Sequence, residues 1–130
     1  MIGLDTNVIV RYIMQDDLVQ SRKATRLVEE RLSSETPGYI SLVTLAEVIW
    51  VLKSVYEIAS KDLINLVGML LATKQIRTER AATAYRAVKV FDSGRADFSD
   101  ALIVVVGMED GCTEIVSFDK KAASVGMRVI

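Results

Sequence analysis

Short apolar runs alternate along the chain with longer stretches whose apolar residues recur every three or four positions, a pattern of strands interleaved with helices. Met1-Ile2-Gly3-Leu4 is an apolar run closed by Asp5-Thr6-Asn7, which predicts a buried strand ending in a polar turn. Residues 7–14 predict a short helix. Asp16-Asp17 opens a second helix to about Leu32, with Leu18, Ser21, Ala24, Leu27 or Val28, and Leu32 at helical spacing. Residues 33–38, with the single proline Pro37, break it.

Gly38-Tyr39-Ile40-Ser41 predicts a second strand, and Thr44-Leu45-Ala46-Glu47 has capping-box spacing for a helix running to about Val55. Ser60 begins a helix to about Thr73, residues 75–77 predict a short edge strand, and residues 78–91 read as helical. After the loop Asp92-Ser93-Gly94-Arg95, Asp97 starts a helix to about Glu109 that Gly111 ends. Residues 113–117 predict a strand, Asp119-Lys120-Lys121-Ala122 a short helix, and residues 127–130 a last strand. This alternation implies one α/β domain over residues 1–130. Its architecture would be three-layered, α/β/α, around a central parallel sheet of about five strands. In such sheets ligands bind beyond the carboxyl ends of the strands.

Composition narrows the chemistry. The 130 residues are 51% hydrophobic and 25% charged, with no repeat or linker, so a packed core is expected and not a disordered tail. No apolar stretch approaches the roughly 18 residues of a membrane span, and the start MIGLDTNV lacks a basic leader. With Cys112 as the lone cysteine, these features lead us to expect a cytoplasmic protein without an intrachain disulfide. There is no histidine, which excludes Ser-His and Cys-His nucleophile pairs and histidine-bound zinc or iron. Net charge is −1, so no global field draws the chain to nucleic acid. Local cations do occur at Arg22, Lys23 and Arg26 and at Lys120-Lys121, where solvated helix faces are the plain account.

The acids occupy strand ends and helix starts. Asp5 closes the first strand, Glu47 lies early in the helix after the second, Asp97 and Asp100 open a later helix, and Asp119 follows the 113–117 strand. Each also has a structural account. Acids near helix N-termini gain about 0.3–1 kcal/mol from the macrodipole, and an aspartate N-cap contributes about 1 kcal/mol. Glu47 would complete a capping box with Thr44, and Asp97 would be an N-cap with Asp100 at the third position. Taken jointly, a parallel α/β fold would bring four or five carboxylates to one edge, where they would repel unless protonated or neutralised by cations. A hard divalent ion, magnesium or manganese, is the natural partner for oxygen ligands of this kind.

These segments are similar to those of the PIN-domain ribonucleases, most closely the VapC-like toxin branch. The residues that carry the resemblance are Leu4-Asp5-Thr6-Asn7, Leu45-Ala46-Glu47-Val48, Ala96-Asp97-Phe98-Ser99-Asp100-Ala101-Leu102-Ile103 and Ser117-Phe118-Asp119-Lys120-Lys121. Their order spans almost the whole chain. The resemblance implies an endoribonuclease that depends on Mg2+ or Mn2+ and acts on single-stranded RNA. Asp5, Glu47, Asp100 and Asp119 would be the catalytic acids, with Asp5 and Asp100 as the principal metal ligands. Thr6, Asn7 and Asp97 would be accessory. It further implies a homodimer and a cognate antitoxin. The apolar residues Ile49, Trp50, Val51, Leu52 and Val55, with Leu63, Leu66, Val67, Leu70 and Leu71, are more than one core face needs, although ordinary packing also accounts for them.

Three other readings stand beside this one. A phosphatase of the haloacid-dehalogenase kind needs an aspartate two residues after the first, where this chain has Asn7. A receiver-like signalling domain has its acids in a different order. A PIN-like module that binds RNA or a protein without cutting would retain binding in the presence of chelator.

Overall fold

Three strands, β1 (Ile2–Gly3), β2 (Gly38–Ile40) and β3 (Ile76–Thr78), pair in parallel in the order β1-β2-β3. Gly3 is opposite Tyr39, and Tyr39 is opposite Arg77. The computed structural model describes residues 1–130, which gather into two compact units, Met1–Ala81 and Ala82–Ile130. Beyond these strand ends, the Leu4 N–H donates to Tyr39 O and the Glu79 N–H to Ile40 O, both at 2.8 Å, so the ladder runs up to the polar turns.

The helices of the first unit are α1 (Thr6–Met14), α2 (Leu18–Arg26), α3 (Leu42–Ser54) and α4 (Ser60–Ala72). Asp17 caps α2 by accepting from the Gln20 N–H at 2.8 Å. The helix then widens into a π turn over Leu27–Arg31, with the Leu32 N–H reaching Leu27 O. Val28 and Leu32, four residues apart, are both buried, so of the pair Leu27 or Val28 it is Val28 that faces the core. Ile9, Ile40, Leu45, Val48, Leu52 and Leu63 are buried with it. At about 1.5–3 kcal/mol for each such side chain, this apolar cluster supplies the main drive for folding of the unit.

The second unit contains α5 (Ala81–Ser93), α6 (Phe98–Glu109), β4 (Val116–Ser117), a 3-10 helix over Lys120–Val125 and β5 (Arg128–Val129). β4 and β5 pair in parallel, Val116 opposite Arg128. Phe91 and Phe98 meet edge to face, with centroids 5.9 Å apart, and pin α6 against α5. Arg86 and Thr83 on α5 both bond to Glu109 at the far end of α6. Gly126, at φ 103°, ends the 3-10 helix in a left-handed conformation that suits glycine.

The α/β alternation and parallel pairing expected from sequence are present. Three local expectations need correction. First, the five strands pair as a set of three and a set of two, not as one five-stranded ladder; with strands of two or three residues, each pairing rests on very few bonds. Second, α3 starts earlier than Thr44, because Ser41 is the N-cap, accepting from the Thr44 N–H at 3.1 Å. Third, the helix expected from residue 78 begins at Ala81, since Thr78 belongs to β3 and Arg80 turns the chain at φ 45°.

Candidate functional site

Because β1, β2 and β3 run the same way, Asp5, Ser41 and Glu79 all leave the carboxyl edge of their sheet. Asp5 sits at the N-cap of α1, but its side chain makes no capping bond; the Val8 and Ile9 amides bond instead to its main-chain oxygen, at 3.1 and 3.3 Å. The carboxylate is exposed and is not spent on the helix. Thr6, the next residue, is only 3% exposed, and its Oγ1 has no hydrogen-bond partner. A buried hydroxyl left unpaired costs about 1–3 kcal/mol, so this polar atom beside Asp5 is unfavourable for stability alone. Asn7 is exposed.

Glu47 lies in the second turn of α3, on the exposed side with Val43 and Trp50, positions four and three residues away on the same face. The opposite face, Leu45, Val48, Ile49 and Leu52, is buried. Since Ser41 caps the helix, Glu47 is not the glutamate of a capping box. A second acid serves that helix start: Glu79 Oε1 accepts from the Leu42 N–H at 2.8 Å. Sequence reasoning missed Glu79 because it assigned the residue to a helix. The available signal was an acid directly after a strand, as at Asp5.

In the second unit, Asp97 and Asp100 form a capping box at the start of α6, in which the Asp97 N–H donates to Asp100 Oδ2 at 3.3 Å. Asp97 is exposed and Asp100 half-buried. Asp119 caps the 3-10 helix by accepting from the Lys121 N–H at 2.9 Å, while its own N–H donates to Ser117 Oγ at 3.0 Å. These three aspartates therefore carry structural duties that Asp5 does not.

The donor set consists of oxygen atoms, which suits a hard divalent ion. No group of three or more acidic or cysteine side chains stands together as a ready-made ligand set. Magnesium is commonly held by one or two carboxylates with waters and substrate phosphate completing its shell, so the chemistry of these residues fits it.

In the last turn of α1, Arg11 Nη1 donates to Asp16 Oδ1 at 3.1 Å and to Tyr56 Oη at 2.9 Å, and the Tyr56 hydroxyl donates to Asp16 Oδ2 at 2.7 Å. The Tyr56 hydrogen bond, helped by the Arg11 charge, holds the Asp16 carboxyl below its ordinary value of 3.8. The same bond to Asp16 raises the Tyr56 phenol above 10.0. The network fixes the end of α1 to the α3–α4 connection. Near it, a groove of about 320 Å³ is lined by Asn7, Val8, Arg11, Gln20 and Lys23, among others.

Residues 2–127 match the PIN domain family model, and the chain belongs to that family. The match runs through both units, and the α/β fold is the family's. No curated protein matches the sequence. Among solved structures the chain is similar to VapC20 of Mycobacterium tuberculosis, a toxin that cleaves the sarcin-ricin loop. Identity is 18% and the TM-score 0.47, over 100% of this chain and 98% of that one.

Proposed function

We propose that this chain is a metal-dependent endoribonuclease that cuts single-stranded RNA, acting as the VapC-like toxin of a toxin–antitoxin pair. Membership of the PIN family supports the reading. The observation that carries it is at the end of β1, where an exposed carboxylate without a capping role sits beside a buried hydroxyl without a partner. The unpaired hydroxyl is a poor choice for stability, and the carboxylate, with no bond to the helix, is free for a reacting site.

Asp5 and Asp100 are the residues that would hold magnesium or manganese. When bound, the ion supplies positive charge against the phosphate and lowers the pKa of a water. Glu47 accepts the proton of the water that attacks phosphorus in line with the departing 3′ oxygen. The bond to that oxygen breaks and the oxygen takes a proton from solvent, leaving a 5′-phosphate and a 3′-hydroxyl. Asp119 orients the reacting groups through water. Thr6 and Asn7 would approach the scissile phosphate beside Asp5, and Asp97 keeps the α6 start in place.

The same reading includes a homodimer and an antitoxin, working in the cytoplasm. Val43, Trp50, Val55 and Met69 leave large apolar side chains exposed on α3, its C-terminal end and α4, which supports protein partners. A groove of about 420 Å³ lined by Tyr12, Ile13, Leu66, Met69 and Leu70, among others, supports a partner with an apolar helix face. No helix is long and apolar enough to cross a membrane.

The test is cleavage of a single-stranded RNA with magnesium or manganese, with and without EDTA, by the wild-type chain and by Asp5→Asn. Cleavage that needs the metal and Asp5 is expected. Equal cutting by both proteins would overturn the mechanism, and RNA binding that survives EDTA without any cutting would favour the silent-module reading.

A further inference from the structure

The sequence places Arg22, Lys23 and Arg26 on one helix, and the structure shows what surrounds them. Helix α2 has nine residues, three of them cations, and no acid. None of the three cations is paired with a carboxylate, in contrast to Arg11, Arg86 and Arg128, which all are. Arg22 and Arg26 are four residues apart, the spacing at which like charges on a helix repel. The helix dipole favours cations in the last turn, which accounts for Lys23 and Arg26 being there but not for their lack of any counter-charge.

Two grooves run along this helix and share Lys23. The first is the 320 Å³ groove that reaches Asn7, two residues beyond Asp5. The second, of about 340 Å³, is lined by Leu18, Val19, Arg22, Lys23 and Arg26. No acidic side chain lines either one. Leu18 is 82% exposed and Val19 64%, so apolar surface lies next to the cations. Unpaired cations on one helix, apolar side chains next to them and a groove reaching Asn7 match what a single nucleic-acid strand offers: phosphates at intervals and bases or riboses with apolar faces. The helix is about 13 Å long, enough for a few nucleotides.

We infer that the α2 face formed by Arg22, Lys23 and Arg26 is a backbone track that holds the RNA strand flanking the scissile phosphate, led to the Asp5 turn past Asn7. The inference rests on the proposed nuclease reading for the identity of its ligand. It assigns affinity, not sequence preference, to these residues, because phosphate contacts position a strand without reading its bases.

The test uses the full chain carrying Asp5→Asn, so that the RNA is not consumed, with and without Arg22→Gln, Lys23→Gln and Arg26→Gln together. Binding of a fluorescent mixed-sequence RNA oligonucleotide is followed by anisotropy over a range of salt concentrations. Removing three phosphate contacts should weaken binding by about tenfold or more near physiological salt and reduce the slope of log K against log salt by about 2. The conservative Arg22→Lys, Arg26→Lys protein should bind nearly as the parent does, which separates charge from folding. Unchanged affinity and slope in the triple variant would overturn the inference. Cleavage by chains with Asp5 intact separates the two proposals. If wild type never cuts but the triple variant loses RNA binding, the track stands and the nuclease reading falls; if wild type and triple variant bind and cut alike, the track alone falls.

Discussion

At the start of α1 the Asp5 carboxylate makes no capping bond, whereas at the start of α6 Asp97 and Asp100 close a capping box. The two helices open with the same kind of residue and differ in what it does. The α6 acids contribute to stability whatever else they do, so their presence alone says little about function. At the Asp5 turn the carboxylate gains at most the helix-dipole term and the Thr6 hydroxyl is unpaired, which makes it the more telling of the two.

Predictions follow from this contrast in order of size. Asp5→Asn should reduce RNA cleavage by about a hundredfold to a thousandfold, since metal-held charge stabilisation is worth several kcal/mol. Its unfolding free energy should stay within about 0.5 kcal/mol of wild type, as for a surface change. A large loss of stability in thermal denaturation would mean that Asp5 is structural after all. Phe98→Ala, next to the α6 cap, should cost about 3–5 kcal/mol by removing a buried ring and its contact with Phe91, measured by urea unfolding.

Asp100→Ala should lose both cleavage and about 1 kcal/mol of stability through its capping bond, while Asp100→Asn should lose cleavage and keep most of the stability. If both variants retained cleavage, the function assigned to Asp100 would be wrong and only the cap would remain. Thr6→Val reverses the usual sign. Exchanging a buried unpaired hydroxyl for a methyl should leave stability unchanged or raise it by about 1 kcal/mol, with slower cleavage. A clear loss of stability would show that the hydroxyl is paired in solution.

The smallest effect concerns pH. Asp16 is held below 3.8 by Tyr56 and Arg11, and Glu114 below 4.5 by its bonds to Arg128. Both folded values are depressed, so the stabilisation these groups contribute is present above the unfolded values and is lost as pH falls through the folded ones. Carboxyl titration by NMR should show midpoints below 3.8 and 4.5. Tyr56→Phe should return Asp16 toward its ordinary value and leave Glu114 unmoved.

Much of the fold could be read from local pattern. The helix starts at Asp17, Asp97 and Asp119 were each expected at the residue that caps them, because a side chain bonding to amides two or three positions on is a local event. The α3 start was placed three residues late because both Ser41 and Thr44 are good caps. The residue that serves the first free amide, Glu79, is 37 positions away and leaves no trace near Leu42. The π turn was also unreadable, since the buried positions Ser21, Ala24, Val28 and Leu32 keep ordinary helical spacing through it. At the candidate site, the sequence located the acids and the family. It could not show which carboxylates were engaged in capping, and this distinguishes Asp5 and Glu47 from the three later aspartates.

Trp50 is the chain's only tryptophan and is 59% exposed, on the same face of α3 as Glu47. Its emission is therefore a poor gauge of unfolding, because the indole is already in contact with water in the native state. For the same reason it is a built-in gauge of assembly. A second copy or an antitoxin segment settling over this stretch of α3 would shift the emission to the blue without any added label, and titrating the chain against itself would report whether that surface is covered.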